Sequence, residues 1–203
     1  RKGTEAPLYE SVEEFVSRNG GQNLIRKILV ATSGQAAIKC IRSMRHWAYE
    51  TFGDEKAFEF VVMATPEDIS GNSEAVSEAD YCVDVPTGPN YHNYANIEVI
   101  VSIAEEYECD AVWAGWGHAS EDPELPRALS RACRKIIWMG PSPESMELVG
   151  QKVQASVIAQ SVGVPTVAWS GDMLRVDIDD TQGGSHVQIA TAAAKQLPSV
   201  NLE

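Results

Sequence analysis

Five compact apolar runs recur along the chain at a spacing of roughly 25–30 residues, without internal sequence repetition. They are Ile28-Leu29-Val30-Ala31, residues 58–63, residues 81–85, Ala111-Val112-Trp113-Ala114 and residues 135–139. Continuous rather than alternating apolarity is the pattern of strands covered on both faces. Between the runs, apolar positions take helical spacing. The first helix opens at Ser11, an N-cap serine with Glu14 at the third helical position, and ends at Gly20-Gly21. A longer one runs from the small-residue turn Thr32-Ser33-Gly34 to about Phe52, with Gly53 placed to end it. Short helices are predicted after Thr65-Pro66 and over 73–79, then over 97–107, 124–133, from near Glu144, and over 153–162. Residues 166–169 read as a final strand. Five alternations of strand and helix predict an open, doubly wound, mostly parallel α/β sheet with right-handed crossovers and helices on both faces.

The pattern lapses after Gly171. Asp177, Asp179 and Asp180, then Gly183-Gly184, then an alanine-rich stretch at 191–196 offer few large apolar groups. An irregular tail that cannot supply a second core is the expectation. The chain therefore divides into a polar lead-in at 1–9, a domain at 10–171, and a linker or the beginning of a further module at 172–203.

Length and charge narrow the classes. A chain of 203 residues is long enough to bury a substantial core. Its net charge of −13 argues against nucleic acid or an anionic membrane as partner, since either needs a contiguous basic face. Cys40, Cys82, Cys109 and Cys133 form no C-x-x-C pair, so neither a zinc site nor a redox pair is suggested, and reduced thiols in a cytosol-like compartment are expected. No apolar run approaches a membrane span, and residues 1–10 lack the apolar stretch of a secretory signal. The absence of an initial methionine suggests a fragment or a processed chain.

Candidate chemistry centres on residues 111–126. Gly115 and Gly117 let the backbone turn tightly after the fourth strand; Trp116 and His118 project from the turn, Ser120 is placed to cap the next helix, and Glu121, Asp122 and Glu124 bring negative charge to its start. Two readings follow from spacing: a ligand site at the carboxyl end of a strand, or a helix-capping turn with a buried tryptophan. The turn at 32–37 opens a helix whose N–H groups can face an anion, but Gly34 alone does not make a dinucleotide fingerprint. The loop that follows Pro86 carries Tyr91, His92 and Tyr94, suited either to a ligand or to packing on the sheet. Lys152 stands at a helix start after Gly150, able to meet a phosphate or simply to face solvent.

Several stretches resemble the start of the biotin carboxylase component of eukaryotic multidomain acetyl-CoA carboxylases. They include residues 15–37, the run 41–53 with Arg45-His46-Trp47-Ala48-Tyr49-Glu50, the turn Met63-Ala64-Thr65-Pro66-Glu67-Asp68, Asn93-Tyr94-Ala95-Asn96, Met139-Gly140-Pro141-Ser142, and Trp113-Ala114-Gly115-Trp116-Gly117-His118-Ala119-Ser120-Glu121. The tryptophan-rich forms look like the acetyl-CoA enzyme rather than its pyruvate or propionyl-CoA relatives.

The resemblance implies a Rossmann-like, pre-ATP-grasp subdomain at 10–171, packed against an ATP-grasp module. The combined unit is an ATP-dependent ligase. It converts bicarbonate to a carboxyphosphate-like species and carboxylates biotin, the first half-reaction of malonyl-CoA synthesis in fatty acid biosynthesis. Gly115, Trp116, Gly117 and Glu121 are implied to border the biotin and bicarbonate pocket, and Lys152 to reach the ATP phosphates. Lys39, Arg42 and Ser43 match a surface that meets an inhibitor and influences self-association; an exposed polar helix face is the alternative. No catalytic or metal-holding residue is implied within this chain, because the nucleotide lid, the metal-binding glutamates and the catalytic arginine belong to later segments. The complete enzyme uses ATP, Mg2+ or Mn2+, and biotin. Its partners are the ATP-grasp part, the biotin carboxyl carrier and the carboxyltransferase, in a cytoplasmic, or alternatively plastid, homo-oligomer. The chain alone is expected to be inert.

Thr32-Ser33-Gly34 stands where the family carries Asn-Asn-Gly, and Gly150-Gln151-Lys152 where it carries Gly-Asp-Lys. Residues 89–93 depart from its asparagine-rich loop. Thr32-Ser33 and Gln151 lend a little support to a second hypothesis, a diverged or truncated non-catalytic paralogue acting as a binding or self-association module, beside the first, an enzyme fragment. A freestanding flavodoxin-like domain is a third, supported by alternation alone.

Overall fold

A computed structural model describes residues 7–168 and the backbone of 175–177 and 188–190, the side chain of His118 excepted. Two compact units divide it, 1–141 and 142–203. In the first, α1 (Val12–Arg18) is capped by the Ser11 side chain, which accepts from the Glu14 N–H. β1 (Lys27–Val30) leads into α2 (Gly34–Phe52), which stops at Gly53 with φ 73°. β2 (Glu59–Ala64) follows, and then α3 (Pro66–Ser70), held by a capping box between Thr65 and Asp68. After α4 (Glu74–Glu78) and β3 (Tyr81–Asp84) come α5 (Ile97–Glu106), β4 (Ala111–Trp113), α6 (Glu124–Arg131) and β5 (Ile137–Trp138).

The five strands make one parallel sheet in the order β3-β2-β1-β4-β5. Val30 pairs with Val62 on one side and Trp113 on the other, so β1 lies at the centre. Successive strand residues point to opposite faces, and each face has its own core. Leu29, Val61, Met63 and Val112 join Ile100, Ile103, Leu125 and Leu129 on the face covered by α5 and α6. Ile28, Val30, Phe60 and Val62 join Ala37, Ile38, Ile41 and Phe52 on the α2 face, together with Val12. Burying each such large side chain contributes about 1.5–3 kcal/mol. Edge-on aromatic contacts tie α1 to the end of α2: Phe15 lies 5.4 Å from Trp47 and 5.8 Å from Phe52 between ring centroids.

The second unit contains α7 (Pro143–Gly150), capped by Ser142, then α8 (Lys152–Ser161), and an antiparallel pair of β6 (Arg175–Asp177) with β7 (Gln188–Ala190). That pair corrects the expectation of an irregular tail: strands of three residues are too short to leave an apolar run that marks them. The fifth strand is also shorter than expected, because its partner β4 offers only three residues. Residues 166–168 form no strand; Val167 is 85% exposed and pairs with nothing among the described residues, while Trp169 lies outside them.

Candidate functional site

Strand order reverses about β1: β2 and β3 lie to one side of it, β4 and β5 to the other. In such a sheet the loops leaving the central pair of strands diverge, one toward each face, and open a crevice at the strands' carboxyl ends. Here the diverging loops are 31–36, from β1 into α2, and 114–119, from β4. They line a crevice of about 340 Å³, with Asn90 and Tyr94 of the loop after β3 completing the wall.

Gly115 (φ 64°) and Gly117 (φ 134°) both adopt backbone conformations that side chains resist. A Cβ at Gly115 would also sit 2.9 Å from the Trp113 ring. Between these glycines Trp116 is thrown outward and is 81% exposed, which overturns the alternative of a buried tryptophan. Trp116 and Gly117 line the crevice. Gly115 shapes the turn without lining it, and Glu121 lies exposed at the end of the 3-10 turn His118–Glu121. Ser120 does not cap α6 as expected. Its hydroxyl donates back to the Gly117 carbonyl at 2.7 Å, and Asp122 instead accepts the Glu124 N–H at 2.9 Å.

The opposite lip is the start of α2. Its N-cap Ser33 makes no capping hydrogen bond, so both the hydroxyl and the first N–H groups of a 19-residue helix remain available at the crevice. Thr32, Ser33, Gln35 and Asn90 supply neutral polar groups there, and no carboxylate contributes to the lining. Such a donor set suits a small anion.

Tyr94 is buried, and its hydroxyl is bonded to Asp68 of α3, so within that aromatic loop the packing alternative describes Tyr94. Tyr91 is 65% exposed. Lys39, Arg42 and Ser43 are brought together on one exposed face of α2. Lys39 and Ser43 border a second, more apolar groove with Met44, Trp113, Trp116 and Met139, while Arg42 pairs with Glu74 and Glu78 of α4 at 2.9 and 2.7 Å. Lys152 belongs to the second unit, exposed at the first position of α8, whose N-cap Gln151 makes no side-chain cap.

Sequence reasoning missed Asn90; it read the 32–37 turn as able to face an anion, and strand order adds that Thr32 and Ser33 line the same crevice as Trp116. Burial pushes the Cys40 and Cys109 thiols up to about 11 and about 12, so both are protonated and unreactive at neutral pH.

A doubly wound parallel sheet with a glycine-shaped crevice at its switch point defines the class as an open α/β domain. Residues 24–146 match the family described as biotin carboxylase, N-terminal domain, and the chain belongs to that family. It is 51% identical over 176 residues to acetyl-CoA carboxylase of Saccharomyces cerevisiae, covering 85% of this chain and 8% of that protein. With acetyl-CoA carboxylase dmxL1 of Cryptosporiopsis sp. it shares 47% identity over 182 residues, 88% of this chain and 8% of the relative. Among solved structures it is similar to the biotin carboxylase domain of a thermophilic 2-oxoglutarate carboxylase bound to bicarbonate, at 27% identity and TM-score 0.61, covering 74% of this chain and 30% of that one. It also resembles pyruvate carboxylase from Rhizobium etli, at 30% identity and TM-score 0.59, covering 71% of this chain and 13% of that one. The chain thus spans about 8% of the length of the curated relatives it matches.

Proposed function

We propose that residues 10–171 serve as the leading subdomain of the biotin carboxylase component of an acetyl-CoA carboxylase, with 172–203 leading toward an ATP-grasp module. The parent enzyme carboxylates biotin with bicarbonate at the expense of ATP and a divalent metal, and passes the carboxyl group to acetyl-CoA. Its further partners are the carboxyl carrier and carboxyltransferase parts, within a cytoplasmic homo-oligomer. The observation that carries this reading is the crevice itself, where an exposed indole stands beside unspent helix N–H groups. Those residues fit the implied groups: N–H and hydroxyl donors without a facing carboxylate suit bicarbonate, and the Trp116 face suits the apolar edge of biotin. Gly115 and Gly117 fix that indole in place. Glu121, on the same loop, acts at the rim. Lys152 meets the nucleotide phosphates as a mobile cation. Lys39, Arg42 and Ser43 form a regulatory surface rather than part of the chemistry.

The test is kinetic, in the complete carboxylase. Trp116→Ala is expected to raise KM for free biotin about 3- to 10-fold with KM for ATP unchanged. Lys152→Ala is expected to do the converse, raising KM for ATP about tenfold or more. The 203-residue chain alone is expected to show no bicarbonate-dependent ATP hydrolysis. Turnover by the purified chain, or a Trp116→Ala enzyme with unaltered biotin kinetics, overturns the reading.

A further inference from the structure

The last turn of α1 ends on the dipeptide Asn19-Gly20, which carries chemistry of its own. A glycine nitrogen that follows an asparagine is an unhindered nucleophile within reach of the asparagine carboxamide carbon. In this chain both reaction partners are held in hydrogen bonds. The Gly20 N–H donates to the Ser17 carbonyl at 3.2 Å and the Gly21 N–H to the Val16 carbonyl at 2.8 Å, the paired bonds of a helix closed by a left-handed residue, here Gly20 at φ 70°. The Asn19 side-chain amide donates to the Phe15 carbonyl at 2.8 Å and to the Tyr9 hydroxyl at 3.2 Å.

Tyr9 accepts that second bond from a fixed position. Its N–H donates to the Thr51 carbonyl at 3.1 Å, its ring lies edge-on to Phe15 with centroids 5.0 Å apart, and the Arg18 guanidinium covers its face at 5.1 Å. Asn19, Gly20 and Gly21 are exposed, and a Cβ at Gly20 would meet nothing within 4 Å. Water therefore reaches the dipeptide, and the space around it admits a ring. Hydrogen bonding at the cap, rather than burial, keeps nitrogen from carbon.

We propose that Asn19-Gly20 is a site of uncatalysed covalent modification, gated by the opening of the α1 cap. In the opened turn the Gly20 nitrogen, its proton taken by hydroxide, attacks Cγ of Asn19. The new N–Cγ bond expels the side-chain nitrogen, which leaves as ammonia with a proton from water, and a succinimide ring results. Water then opens the ring. Breaking the N–Cγ bond gives aspartate, and breaking the bond from that nitrogen to the Asn19 main-chain carbonyl carbon gives isoaspartate. Neither product restores the cap. A carboxylate at position 19 has no hydrogen to donate to the Phe15 carbonyl, and it brings negative charge to the negative end of the helix. Isoaspartate inserts Cβ into the main chain before Gly20, out of register with the Ser17 and Val16 carbonyls. The change is one-way, and it removes the bond that holds Tyr9 to the end of α1.

The experiment incubates the 203-residue chain, and a peptide of residues 14–24 as the unfolded reference, at physiological temperature and pH, and follows ammonia release and the amide-to-acid mass change at Asn19. Both are expected to react, the folded chain about 5- to 30-fold more slowly, because its cap must first open. Tyr9→Phe keeps the ring and removes the acceptor. It is expected to speed the reaction of the chain about 3- to 10-fold and to raise hydrogen exchange of the Gly21 amide by the same factor, with the core amides of Val61 and Val112 unchanged. Asn19→Asp, which reproduces one product, is expected to raise Gly21 exchange about 3- to 10-fold. Reaction of the chain at the rate of the peptide, or a rate in Tyr9→Phe that does not follow Gly21 exchange, overturns the gate. Should Tyr9→Phe loosen the core as well, Gly21 exchange still reports opening of the cap, and the same comparison decides. A rate that tracks exchange of Val61 rather than Gly21 means that the reaction needs global unfolding, and the proposal fails. Wild-type Gly21 exchange in Asn19→Asp refutes the one-way loss of the cap.

Discussion

A methyl group at Gly140 would lie 2.5 Å from both Cε2 and Nε1 of Trp138, closer than any carbon tolerates. The indole cannot simply move aside, because its N–H donates to the Pro141 carbonyl at 2.9 Å and its ring packs against the α5 and α6 core. Gly140→Ala is therefore expected to cost about 1–3 kcal/mol, read as a lower urea midpoint at unchanged slope. Trp138→Leu should itself remove the clash, so the double variant should lose less than the two single losses combined. Trp116 presents the opposite case. Its residue type drew attention in the sequence, but only the two positive-φ glycines and its exposure in the fold say which way it faces.

At the scale of elements, β1, β2 and β4 were legible because strands covered on both faces need apolar residues at every position, as Ile28-Leu29-Val30 and Phe60-Val61-Val62 show. The start of α3 was legible for a local reason: Thr65 and Pro66 suit a helix start, and the structure adds the capping box that Thr65 forms with Asp68 three residues on. What joins distant elements left no such trace. Tyr94 and Asp68 are 26 positions apart, and Ser120, a good cap by type, finds the nearer Gly117 carbonyl instead. Asp80 is another non-local anchor. It joins the entry of β3 to α2 and β2 by accepting from Arg45 at 3.0 Å, Lys56 at 3.2 Å and the Phe60 N–H at 2.9 Å. Burial opposes its charge, but the Phe60, Lys56 and Arg45 donors prevail and hold its carboxyl below the ordinary range. A carboxyl depressed on folding contributes stability above its unfolded value, and that contribution disappears as pH falls through the folded one. Asp80→Ala is expected to cost about 2–3 kcal/mol at pH 7, since it takes the carboxylate from a mostly buried guanidinium, which keeps only the Glu55 and Glu78 carbonyls, and leaves the Phe60 N–H without its acceptor. The difference from wild type should shrink on acidification below about pH 4, measured by urea unfolding across pH. A difference that stays constant with pH would show the carboxylate charge to be irrelevant.

For the whole molecule, the buried residues of both sheet cores run, among the described residues, from Val12 to Ile136, within the unit that ends at Pro141. No side chain of α7 or α8 belongs to either cluster. The central strand is paired on both sides, and each face has its helices, so the requirements of a closed hydrophobic core are met before residue 142. Residues 1–141 expressed alone are therefore expected to unfold in one cooperative urea transition, with a midpoint near that of the same sheet in the full chain followed through Trp113 and Trp138 fluorescence. The crevice should survive with it, because Thr32, Ser33, Asn90, Tyr94, Trp116 and Gly117 all lie in this unit. Lys152 does not, so the shortened chain tests the two proposed roles separately: on the proposed reading it keeps whatever affinity the crevice has for biotin and lacks the lysine assigned to the nucleotide. A non-cooperative, dye-binding collapsed state from 1–141 would mean that the sheet depends on chain beyond Pro141 to close its core.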